Sequence, residues 1–125
     1  MKKILAFVIA TLSLTSCLGL LLDATEENDN KQLYGSEWST EDQSQGLKFY
    51  KDDSVLFFWT YGRGSGTFEY DSSTKYIEFT NFSMTAEGQT SEFPAAQILE
   101  DGTMKLYWHY LGKAENYYMI LIKRR

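Results

Sequence analysis

The chain has one cysteine, one histidine and one proline in 125 residues, and each scarcity closes off a class of protein. A lone cysteine cannot build an internal disulfide framework, so any folded part must be held by its apolar core. A lone histidine, His109, leaves no His-based metal cluster and no paired-imidazole mechanism. Basic residues are also few, twelve Lys and Arg against seventeen Asp and Glu, for a formal net charge of −5. Nucleic acid needs basic side chains on its phosphates, and anionic lipid needs a polybasic grip, so this balance argues against both. No stretch sustains an apolar stripe at i, i+3, i+4 and i+7, and no long helix is predicted. Adjacent acids do not make a catalytic pair either. Asp52 and Asp53 are neighbours at a turn, whereas glycosidase carboxylates must face each other across a bond. With no acid–base pair, neither an enzyme nor a cofactor is expected.

What is present begins with a targeting pattern. Lys2 and Lys3 precede an apolar run over residues 4–14, followed by the small residues Thr15 and Ser16. That order is the n-region, h-region and cleavage site of a secretory signal peptide. Leu14-Thr15-Ser16-Cys17 resembles a bacterial lipobox. The resemblance implies cleavage before Cys17, a diacylglycerol thioether on its sulfur and acylation of the new amino group. Two or more acyl chains anchor a protein stably. A rival stays open, because residues 4–22 carry no charge and about 20 apolar residues span a bilayer as an uncleaved anchor. Residues 1–16 are thus assigned as signal peptide and residues 17–32 as lipidated cysteine and acidic, flexible tether. Glu26-Glu27-Asn28-Asp29 resembles the acidic export signals of surface-exposed Bacteroidetes lipoproteins. The expected address is the bacterial outer membrane, on its periplasmic or its surface side.

From residue 33 the composition changes. All three Trp, all nine Tyr and seven of eight Phe lie in residues 33–125. Aromatic and β-branched residues suit a pleated, half-buried surface. The segment divides into eight short runs, residues 33–38, 46–51, 54–61, 66–70, 75–85, 92–99, 104–111 and 116–123, separated by turn residues. Asp101-Gly102 predicts a type I′ hairpin, and Gly62-Arg63-Gly64-Ser65 a loop. In the seventh run Met104, Leu106, Trp108 and Tyr110 share a face; in the last, Tyr118, Ile120 and Ile122 oppose Met119 and Leu121. Closing such hairpins into a barrel removes exposed sheet edges. The predicted fold is an all-β, eight-stranded, antiparallel up-and-down barrel.

The order of features resembles the lipocalin-like lipoproteins of Bacteroidetes. Leu33-x-Gly35-x-x-Trp38 opens the domain, Leu47-x-Phe49 follows, then residues 66–71 (GTFEYD), Tyr76-Ile77-x-Phe79, an Asp-Gly hairpin into Met104-x-Leu106-x-Trp108, and a terminal strand ending Ile122-Lys123-Arg124. The resemblance implies a compact barrel, tethered and monomeric, with a small, mostly apolar ligand inside it. An eight-stranded barrel holds one small ligand or is filled by its own side chains. The expected lining is Trp59, Tyr61, Trp108, Tyr110 and Tyr118, with Arg63 at a loop tip to meet an anionic group. The alternative is a solid-cored module contacting protein or glycan through an outer cluster of Leu56, Phe58, Tyr107 and His109. In either case His109 is expected to be a surface residue or a satisfied one, and not a metal ligand.

Overall fold

The computed structural model describes residues 29–125. The signal peptide, the Cys17 attachment and the rival anchor all fall on residues 1–28, outside the described residues. Eight strands follow a single 3-10 turn at Asn30–Gln32: β1 (Glu37–Ser39), β2 (Gln45–Phe49), β3 (Ser54–Trp59), β4 (Gly62–Asp71), β5 (Tyr76–Ala86), β6 (Gln89–Ile98), β7 (Met104–Tyr110) and β8 (Tyr117–Lys123). Each pairs antiparallel with the next, and β8 pairs with β1 to close the barrel. The predicted all-β, up-and-down barrel is therefore the observed one. No helix among the described residues is long and apolar enough to cross a membrane.

Why the chain turns where it does is written in a repeated pattern. Asp42, Asp52, Asp71 and Asp101 each accept the backbone N–H and the hydroxyl of the Ser or Thr two residues on. An aspartate that bonds its own downstream backbone makes a turn without help from the sheet. At Asp101 this yields a different hairpin from the one expected. Only Gly102 has positive φ there, at 88°, so the loop is a turn completed by a left-handed glycine rather than type I′. The hairpin with positive φ at both central residues is Glu87-Gly88, at 54° and 77°.

The glycine-rich segment expected as a loop is the start of β4, and the true connection is Thr60-Tyr61. The glycines are there for close approach. A Cβ on Gly64 would sit 2.2 Å from the Ser83 carbonyl oxygen, and one on Gly66 would sit 2.6 Å from the Phe82 Cβ. The β4–β5 register shifts between Ser65 and Thr67, and Asn81 takes a left-handed φ of 54°. One extra residue in a strand bends it and re-aims its side chains. Here that lets Ile77, Phe79, Phe82 and Met84 all face inward. Pro94 lies at the β6–β7 register shift between Glu92 and Ala95, where a missing ladder donor is tolerated.

The barrel has a solid lower half. Phe49 packs edge-on to Phe68 at 4.8 Å between centroids, and Phe57, Phe93, Phe82 and Phe79 form a chain of rings 4.5–4.9 Å apart. Leu47, Ile77, Met104, Leu106 and Leu121 fill the space between them with no exposed surface. The end below is shut by the 3-10 turn. Residues 29–32, expected as tether, belong to this closure: Asn30 is 1% exposed, and its amide donates to the Phe68 carbonyl at 2.9 Å. Asp29 accepts the Ser72 N–H at 2.7 Å. Trp38 is buried above them, its indole N–H donating to Ser36 Oγ at 3.1 Å while Ser36 donates to the Leu33 carbonyl.

The wall is lowest at the seam. Because β1 is three residues long, its ladder partners within β8 are Ile122 and Lys123, with Glu37 adding backbone bonds to Arg124 and Arg125 just beyond. Tyr117 to Leu121 have β7 as their sole sheet neighbour, leaving a notch beside the open end.

Candidate binding site at the barrel mouth

The open end holds a cavity of about 370 Å³. Phe57, Met84 and Phe93 form its base, Trp59, Trp108, Tyr110 and Met119 its walls, and Gln45, Glu87 and Gln89 part of its rim. Strand parity explains the apolar lining. Phe57 and Trp59 continue the inward face of β3 from Val55, and Trp108 and Tyr110 continue that of β7 from Leu106. Small-ligand sites in proteins run from about 300 Å³ upward and are mostly apolar with a few polar groups, a description that fits this cavity.

Two ring pairs at the mouth are near perpendicular, Trp108–Tyr110 at 89° and Trp59–Tyr61 at 81°, while Trp108–Tyr117 is tilted by 32°. Trp108 and Tyr110 are edge-to-face with centroids 5.2 Å apart, and Tyr117 lies 4.9 Å from Trp108. On the β3 side Trp59 and Tyr61 are edge-to-face at 4.8 Å. Such pairs are favourable on their own account, by about 0.5–1.5 kcal/mol beyond the area they bury.

Three of the residues expected to line the cavity do so: Trp59, Trp108 and Tyr110. Tyr61 does not, standing at the rim 63% exposed with its ring braced against Trp59. Arg63 is no loop tip. It lies on β4 opposite Phe58, on the outer face, and is exposed there. Tyr118 is outside as well, 59% exposed, with the Lys105 ammonium 4.4 Å from its ring centroid. The reason is register: Trp108 is paired with Tyr117 and Leu106 with Met119, so Tyr117, Met119 and Leu121 take the inward face of β8.

The expected outer cluster does not assemble either. Leu56 and Phe58 are on β3 and Tyr107 and His109 on β7, four strands away round the barrel. All four are half-buried, and Phe58 covers Gly46, where its ring would lie 2.7 Å from an added Cβ. His109 is held on the outer wall, its Nε2 2.8 Å from Glu92 Oε1 and its Nδ1 3.1 Å from Asn116 Oδ1.

A second, open depression of about 440 Å³ lies outside the β4–β5 hairpin among Asp29, Glu69, Asp71 and Glu78. Among the described residues no three His, Cys, Asp or Glu side chains come together closely enough to hold a metal ion.

No family model, curated protein or solved structure matches this chain.

Proposed function

We propose that this protein is a non-enzymatic, membrane-tethered, lipocalin-like lipoprotein of the bacterial cell envelope that holds a small, mostly apolar ligand in the mouth of its barrel. The observation that carries the reading is the 370 Å³ cavity, lined on most sides by Phe57, Trp59, Met84, Phe93, Trp108, Tyr110 and Met119. A packed barrel has few voids larger than a water molecule, so a space of this size bounded by apolar side chains favours an enclosed ligand over a solid-cored contacting module. Tethering is supported by the Leu14-Thr15-Ser16-Cys17 box behind a basic, then apolar, leader.

Intrinsic fluorescence tests the ligand reading directly, because Trp59 and Trp108 line the cavity and Trp38 is buried at the far end. Saturable quenching by short-chain apolar ligands, lost on Trp108→Ala, is the expected result. A flat response to alkyl, aromatic and terpenoid probes would remove the proposal. Incorporation of an acyl tracer that disappears in Cys17→Ser tests the tether.

A further inference from the structure

The charge in the cavity lining is negative. Among the described residues Glu87 is the only charged one that lines the cavity; the polar remainder is Gln45, Gln89 and Ser91. A second carboxylate stands beside the ring cluster. Glu115 accepts from the Tyr117 hydroxyl at 3.3 Å and pushes that phenol above its ordinary range. The basic residues in the neighbouring segments, Arg63 and Lys113, are exposed and outside the lining.

Glu87 lies in the β5–β6 turn at the rim. It has φ of +54° as the first central residue of its hairpin. Asn, Asp and Gly hold that conformation at least cost, and glutamate is not among the residues that favour it. Gln43 and Lys75 hold the same conformation at other turns, at φ of 62° and 61°, so what sets Glu87 apart is its place in the cavity lining. Glu87 is exposed there, in a lining that also includes Trp59, Trp108 and Tyr110.

We infer that the mouth takes an alkylated ammonium cation on a short apolar stem, with the charge between Glu87 and the faces of Trp59, Trp108 and Tyr110. This rests on the cavity being a ligand site, as proposed above, and names the chemistry of its occupant. Aromatic faces carry negative charge density and attract cations, most strongly when water is excluded, and quaternary ammonium groups are recognised by boxes of this kind. A fatty acid would instead bring a carboxylate towards Glu87 with no basic partner in the lining. The apolar base formed by Phe57, Met84 and Phe93 accommodates the stem.

Three probes with the same chain separate the possibilities: octyltrimethylammonium, 1-octanol and octanoate, each titrated into the purified full-length protein with tryptophan fluorescence as readout. The ammonium is expected to bind about tenfold more tightly than octanoate and several-fold more tightly than octanol, the size of a desolvated cation–aromatic contact. Glu87→Gln should shrink the margin over octanoate to about threefold. Glu87→Asn, which suits the left-handed turn, should do the same without loss of thermal stability. Octanoate binding as tightly as the ammonium, or a margin untouched by both variants, overturns the cation inference and leaves the apolar cavity standing. Failure of all three probes to bind overturns the cavity reading itself.

Discussion

Asn30 and Tyr70 are forty positions apart, yet the side-chain oxygen of Asn30 accepts the Tyr70 backbone N–H at 2.7 Å. The same amide donates to the Phe68 carbonyl at 2.9 Å and to Asp53 Oδ1 at 3.0 Å. One side chain therefore stands in for a missing strand along the end of β4, and it is buried where water cannot substitute. Asn30→Ala is expected to lower stability by about 2–4 kcal/mol, since it strands buried backbone groups as well as losing bonds. Urea unfolding followed by tryptophan fluorescence measures this. Asn30→Asp should be worse at neutral pH, because it puts an uncompensated carboxylate beside Asp53.

The acid limb of stability depends on Tyr34. Its hydroxyl donates to Asp53 Oδ1 at 2.5 Å and, with Asn30 as the second cause, holds that carboxyl below its ordinary value of 3.8. A depressed carboxyl contributes stability that is present above pH 3.8 and is lost as pH falls through its folded-state value. Tyr34→Phe should therefore cost more at pH 7 than at pH 2.5, narrowing the gap between the two urea midpoints. An unchanged gap would show that Asp53 is not linked to folding through Tyr34.

Gly64 and Gly46 have no room for a methyl group. The added Cβ would meet the Ser83 carbonyl oxygen at 2.2 Å in the first case and the Trp38 carbonyl oxygen at 2.1 Å in the second. Those obstacles are backbone, which cannot rotate aside. Gly64→Ala is expected to cost about 3 kcal/mol, near the top of the usual range for overpacking. Gly88→Ala meets no atom within 4 Å but must hold φ at +77°, so its cost should be smaller, about 1 kcal/mol.

The two faces of β8 give the cleanest contrast at the mouth. Tyr118→Ala removes an outer ring and should leave ligand quenching unchanged. Met119→Ala opens the cavity wall on the neighbouring position and should weaken binding several-fold, with a stability loss of about 2 kcal/mol from its half-buried side chain. Parallel titrations of the two variants check both expectations.

The two strands of that last hairpin also show how far the chain can be read unaided. β7 was legible because Lys105 interrupts its apolar positions and marks the outer face. β8 was not, because residues 117–122 (YYMILI) are apolar at every position, so alternation carries no sign of which side is in. Register resolves it: Trp108 opposite Tyr117 sets the parity of the whole strand. Gly62 to Gly66 misled for a related reason, since glycine marks turns and close strand contacts alike. Asn30 lay in a polar stretch whose composition matched a spacer. Nothing local distinguishes an amide that will complete a distant strand from one that faces water. The four Asp-x-Ser/Thr turns, by contrast, are visible as residues 42–44, 52–54, 71–73 and 101–103, and reading them as one device places four of the seven hairpin connections.

Asp29 meets the barrel at Ser72, and Arg125 pairs with Glu37, so both ends of the described polypeptide emerge at the plugged pole, opposite the aromatic rim. A linker, dye or solid support joined at either end would hold the cup upright, its opening directed away from whatever surface carries it. Cargo would then arrive from the bulk side rather than through the point of attachment.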